Sequence, residues 1–107
     1  MTSGTERLES LQRMLESRPE DSRLQFAVAV EYLNADRVRD GVAALRAYLG
    51  ATDDEGNAWG RLATALTGIG EDEEARDAYR QGIDAARRHG HPTMAEEFEA
   101  ELEGLGR

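Results

Sequence analysis

Cysteine and lysine are both absent from this 107-residue sequence, and proline occurs only twice. Without cysteine there is no disulfide framework, no thiolate nucleophile and no Cys-rich zinc site, and a cytoplasmic setting is the expectation. The 13 basic residues are therefore all arginine, and set against 22 acids they leave a net charge of −9. That balance argues against nucleic acid as a partner, because neutralising phosphates needs a basic surface. It also disfavours adhesion to anionic lipid. No apolar run approaches the roughly 20 residues that a membrane span requires. The opening Met1-Thr-Ser-Gly-Thr-Glu6 has neither a basic n-region nor an apolar h-region, so no signal peptide is expected. Strand formers are scarce too, with six aromatic residues and six of valine and isoleucine together.

What the chain has is alanine. Sixteen of the residues behind the 39% hydrophobic fraction are alanine, the best helix former and a side chain that lets helices approach closely. The length suits a single domain, and no linker or low-complexity segment divides it. An all-α fold follows. Charge is uneven along the chain. Residues 1–50 hold seven arginines against eight acids, whereas residues 51–107 hold six against fourteen. Most of that acidity is expected to be a solvated face, with steering of a basic partner as the sharper reading.

Six helices can be read from periodicity and punctuation. Ser3-x-x-Glu6 is a possible capping box for a first helix carrying Leu8, Leu11 and Leu15 on one stripe. Pro19 ends that segment, and Ser22-x-x-Gln25 opens a second helix over about 22–35. Its apolar residues lie around most of the circumference, as in a helix sandwiched between neighbours. The alternation from Leu24 to Tyr32 also fits a strand, but Ala27, Ala29 and the flanking caps favour helix. A third helix is expected at about 37–50, and a fourth follows the polar loop Thr52–Asn57 with Trp59, Leu62, Ala63 and Leu66. Gly68 and Gly70 bracket Ile69 at a tight turn. The fifth helix, about 71–89, starts on Glu71-Asp-Glu-Glu74 and ends on Arg87-Arg88-His89, which complements the helix dipole at both ends. Gly90-His91-Pro92 is a stop. Thr93-x-x-Glu96 is read as the next capping box, opening a last helix to about 104 with Met94, Phe98, Leu102 and Leu105 along one seam. Short turns between such helices make antiparallel neighbours.

The chain also repeats itself. Asp40-Gly-Val-Ala-Ala-Leu-Arg46 lies 34 residues before Glu74-Ala-Arg-Asp-Ala-Tyr-Arg80, and the same offset pairs Val28-Ala29 with Leu62-Ala63, Tyr32 with Leu66 and Leu49 with Ile83. The second unit is the clearer one, with Trp59-x-x-Leu62-Ala63-x-x-Leu66, Gly70 at the turn, Ala75-x-x-x-Tyr79 and Gly82. On these residues and their 34-residue helix–turn–helix period, the sequence resembles the tetratricopeptide repeat family. The resemblance implies a single domain over 1–107: a half repeat at 4–18, repeat one at 22–55, repeat two at 56–89 and a capping helix at 93–105. Small residues at Ala29, Gly41, Ala63, Ala75 and Gly82 would let backbones approach, while Tyr32, Leu45, Trp59 and Tyr79 fill the space between helices. Of the family's repeat-ending prolines only Pro19 is present; Asp53 and Arg87 stand at the next two positions.

No catalytic constellation is visible, and the chain is not expected to be an enzyme or to need a cofactor. His89-Gly-His91 lacks the i, i+3 or i, i+4 spacing of helical metal ligands and reads as a helix terminus and turn. Gly68-x-Gly70 has no preceding strand and no third glycine, so it is no phosphate loop. Asp53, Glu55 and Asn57 alternate like a calcium loop, but position 58 is not glycine and the twelfth residue is Thr64. The five glutamates between Glu96 and Glu103 look like a solvated exterior.

Family resemblance implies instead that the first helix of each repeat lines a concave groove for a peptide or a partner's helix. Carried over by position, that groove takes Arg23, Phe26, Ala27, Val30, Leu33 and Asn34 from unit one, and Asn57, Gly60, Arg61, Thr64 and Thr67 from unit two. The family's carboxylate clamp is not expected, since Phe26 and Val30 stand where it wants lysine and asparagine, and Arg61 where it wants another asparagine. What remains is an apolar stripe, Phe26, Val30 and Leu33, at i, i+4 and i+7. Either the flanking half-repeat helix or the cap covers it, or it binds a protein. Two functions are carried forward: a protein- or peptide-binding adaptor, and a homodimeric assembly unit that associates through the stripe.

Overall fold

The computed structural model describes residues 4–106, and within them the chain forms six α-helices and no strand. They are α1 Gly4–Ser17, α2 Ser22–Asn34, α3 Val38–Ala51, α4 Asn57–Gly68, α5 Asp72–Arg88 and α6 Pro92–Leu105. The all-α reading holds, and the alternating stretch from Leu24 to Tyr32 is helical along its whole length. The described residues gather into two compact units, one with α1 to α3 that ends at Thr52 and one with α4 to α6 that begins at Asp53.

Several helix ends differ from their expected caps. Ser3 lies outside the described residues. Asp21, one residue before the expected Ser22, caps α2, its Oδ1 accepting from the backbone N–H of Arg23 and Leu24. A carboxylate outcompetes a hydroxyl here because it also meets the positive end of the helix dipole. At α6 the expected cap Thr93 is already helical; Pro92 occupies the first helical position, where its missing N–H costs nothing. The acidic first turn of α5 and its Arg87-Arg88 ending stand as expected.

Three helices end alike. At α2 the N–H of Asp36 donates to Leu33 C=O and that of Arg37 to Tyr32 C=O; at α4 Gly70 and Glu71 do the same to Thr67 and Leu66. Gly90 and His91 repeat the pattern on Arg87 and Ala86 at the end of α5. This is the Schellman motif, which needs a left-handed residue after the cap. Asp36, Gly70 and Gly90 supply it with φ of 61°, 79° and 77°.

Burial carries the repeat most clearly. Leu24, Val28, Ala29, Gly41 and Leu45 are buried in the first unit; 34 residues on, Ala58, Leu62, Ala63, Ala75 and Tyr79 are buried in the second. In the first unit α2 and α3 pack antiparallel, Phe26 meeting Tyr48 at one end and Leu33 meeting Gly41 at the other. Helix α1 docks on α2 through buried Leu8, an Arg7–Glu31 ion pair of 3.2 Å and a hydrogen bond of 2.7 Å from Gln12 Nε2 to the Tyr32 hydroxyl. In the second unit Ile83 and Ala86 of α5 and Ala95 of α6 form a buried cluster, against which Met94, Phe98 and Leu102 of α6 pack. Leu8, Leu45, Leu62 and Leu66 are fully buried, each contributing about 1.5–3 kcal/mol relative to exposure.

Candidate functional site

The first unit divides the expected apolar stripe. Phe26, Val30 and Leu33 are all half-buried, but two of the three are engaged by α3. The Phe26 ring lies 5.2 Å from the Tyr48 ring at a tilt of 49°, within the range of favourable aromatic pairs. Leu33 covers Gly41 so closely that a Cβ there would stand 2.5 Å from Leu33 Cδ2. The second helix of the same repeat therefore holds Phe26 and Leu33, a partner the sequence reading did not consider. Arg23, Ala27, Val30 and Asn34 remain together on another strip of α2, spaced i, i+4, i+7 and i+11, with Arg23 and Asn34 exposed.

On α4 the positions Asn57, Arg61 and Thr64 fall at i, i+4 and i+7 and are all exposed. Thr67 is exposed as well, its hydroxyl donating to the Ala63 carbonyl at 2.9 Å. Gly60 is a correction to the expected groove. It is buried beneath Phe98 of α6, so it serves helix packing and offers no surface. The start of α4 is set by Asp54, whose Oδ2 accepts from the N–H of Gly56 and of Ala58, each at 2.9 Å. Gly56 turns the chain into the helix with φ 126°, a conformation reserved for glycine.

One polar cluster escaped the sequence reading. His89 ends α5 and His91 precedes α6, and each meets a carboxylate from the segment before α4. His89 Nε2 lies 3.1 Å from Asp53 Oδ2, and His91 Nε2 lies 2.6 Å from Glu55 Oε1. The hydrogen bond and charge of His91 hold the Glu55 carboxyl below its ordinary range. Arg88 joins through Asp84 at 3.1 Å and Asp53 at 3.4 Å. Partners about 35 residues apart leave no local signal; the only hint was a shared i, i+2 spacing of two acids and two histidines. Among the described residues no three His, Asp or Glu gather to hold a metal ion, and no helix is long and apolar enough to cross a membrane.

Known proteins supply the remaining comparison. A Bordetella parapertussis protein solved in solution is similar over 100% of this chain and 90% of its own, at 30% identity and a TM-score of 0.80. A tetratricopeptide repeat domain protein from Salinibacter ruber, also solved in solution, is similar over 82% of this chain and 92% of its own, at 25% identity and a TM-score of 0.69. The crystal structure of MamA shares the fold over 98% of this chain and 75% of its own, with 16% identity and a TM-score of 0.68. Among curated proteins, no sequence matches this chain. The tetratricopeptide repeat family profile matches residues 2–86. With most of its length matched, and with the buried positions repeating at the family's 34-residue period, this chain belongs to the tetratricopeptide repeat family.

Proposed function

We propose that this chain is a non-catalytic protein-binding module whose first-helix faces take a peptide or a protein segment. Tetratricopeptide repeats generally mediate protein–protein contacts and carry no catalytic machinery of their own. The observation that supports the segment-binding reading is the exposure of Asn57, Arg61 and Thr64 in register on α4, and of Arg23 and Asn34 flanking half-buried Val30 on α2. Two arginines, two side-chain amides and a hydroxyl give such faces donors for the carbonyls of a bound segment, and Val30 gives an apolar contact. Phe26 and Leu33 lie at the edge of the α2 face and back it through α3. The cytoplasmic setting, which rests on the lack of cysteine, and the exclusion of nucleic acid and membrane as partners, which rests on the charge of −9, belong to the same proposal.

Phe26→Asp is a poor test, because it would break the pair with Tyr48 and mimic loss of binding through loss of fold. Val30→Asp and Arg61→Glu are better, since neither side chain is fully buried. Affinity capture from lysate with wild type beside these variants, with helicity checked by circular dichroism, should return a protein lost from both variants. Identical captures from folded variants would place binding elsewhere. Light scattering across concentration addresses self-association: a dimer abolished by Val30→Asp would replace the adaptor reading with the homodimeric one, and a monomer throughout would remove that alternative.

A further inference from the structure

We propose that His89 and His91 form a pH-dependent latch, which fastens residues 53–55 to the turn between α5 and α6 and steadies the start of α4 while both rings are protonated. His89 Nε2 meets Asp53 Oδ2 at 3.1 Å, and His91 Nε2 meets Glu55 Oε1 at 2.6 Å. The two tied carboxylates flank Asp54, whose Oδ2 accepts from the N–H of Gly56 and of Ala58 and so caps α4. Gly56 is seated separately, buried against Met94, Gly82 and Ala86. Loosening the latch therefore frees the cap and leaves Gly56 in place.

Charge decides the direction of the response. Asp53, Glu55 and Asp84 bring three negative charges to the cluster, and Arg88, 3.1 Å from Asp84 and 3.4 Å from Asp53, brings one positive charge. With neutral rings two negative charges are unmatched; with both rings protonated the cluster balances. Of the other charges on the adjoining elements, Arg87 is held by Glu99 at 2.6 Å, and Glu96 and Glu97 add only negative charge. Arg61 lies a turn into α4, and Asp54 meets the positive end of that helix. The Glu55 carboxyl, held below its ordinary range by His91, stays charged wherever the rings titrate. Imidazole changes charge between about pH 5 and 8, and the chain has two histidines and no cysteine, so no other side chain ordinarily titrates there. The unmatched carboxylates favour protonated rings, so the latch is closed at the acidic end of that range and loosens as pH rises. An uncharged ring still donates from Nε2, which makes the change a weakening and not a loss.

Amide hydrogen exchange on the untagged chain at about pH 5.5 and about pH 8, expressed as protection factors, tests the latch. Protection at Gly56 and Ala58 should fall about threefold or more between the two, while amides of α1 to α3 keep theirs. The difference should narrow with added salt. In His89→Gln/His91→Gln the two pH values should give equal protection, near the wild-type value at the higher pH. Asp53→Asn/Glu55→Gln removes the same pairs from the other side and should flatten the response likewise, with circular dichroism confirming that each variant folds. Equal protection at both pH values in wild type, a pH response that survives in either folded variant, or a change spread evenly over all six helices would overturn the proposal.

Discussion

Phe98 of α6 occupies the space that any side chain at Gly60 of α4 would need: a Cβ on Gly60 would stand 2.5 Å from the ring. The same ring lies 3.0 Å from a Cβ placed on Gly82 of α5, and its centroid is 5.9 Å from that of Tyr79. Glycine at both positions is thus a packing requirement, since α6 seats its aromatic residue against bare backbone. Gly60→Ala should destabilise the fold by about 1–3 kcal/mol in urea denaturation, despite alanine's better helix propensity. In a Phe98→Leu background the same change should cost less, with a coupling of at least about 0.5 kcal/mol. Gly68→Ala is the comparison, because no atom lies within 4 Å of its Cβ. It should be neutral or stabilising by up to about 1 kcal/mol.

Asp36 and Gly70 are equivalent turn positions 34 residues apart, and only one of them is glycine. Asp36 therefore bears a Cβ at φ 61°, a left-handed conformation that disfavours side chains. Asp36→Gly should raise stability by roughly 0.5–1 kcal/mol, the strain relieved outweighing the entropy that glycine adds to the unfolded chain. A lower denaturation midpoint in that variant would show that Asp36 makes a compensating contribution.

Glu31 is 8% exposed and pairs with Arg7, whose side chain is 70% exposed. The pair ties α1 to α2 asymmetrically. Solvent screens the arginine and keeps its contribution small, whereas the carboxylate has already lost its water. Arg7→Ala should cost about 0.5–1 kcal/mol and show as faster amide exchange in α1 before any change in α5. Uniform acceleration through the chain would contradict this local role.

Glu55 supplies a pH prediction. Its carboxyl is held below the ordinary value of 4.5 by the hydrogen bond and charge of His91. A group with a depressed folded pKa stabilises above its unfolded value, and that contribution is lost as pH falls through the folded one. Wild type should therefore lose stability relative to Glu55→Gln as pH is lowered through and below about 4.5. The group is fully exposed, so the difference in melting temperature should be small and should shrink with added salt. Parallel melting profiles for the two proteins across that window would contradict the pairing.

The 34-residue period was legible because each repeat buries the same positions, and burial writes itself into residue size: Ala29 and Ala63, Gly41 and Ala75, Leu45 and Tyr79. Helix interiors followed from alanine and periodicity. Their ends were less legible where several groups could cap. Asp21 and Ser22 are neighbours, and only geometry selects the carboxylate. The candidate face was legible in part. Periodicity placed Phe26, Val30 and Leu33 on one stripe, but a helix with apolar residues around most of its circumference does not say which neighbour takes which residue. Tyr48 and Gly41 take two of the three. Gly60 was misread for the related reason that its partner, Phe98, lies 38 residues away. The pairs of Asp53 with His89 and Glu55 with His91 likewise follow from tertiary packing that no local pattern encodes.

Amide hydrogen exchange of the chain with and without a captured partner locates the binding face. New protection should concentrate in residues 23–34 of α2 and 57–64 of α4, the segments that carry Arg23, Val30, Asn34, Asn57, Arg61 and Thr64. Protection confined to other segments, or none at all on a partner bound stoichiometrically, would contradict binding there.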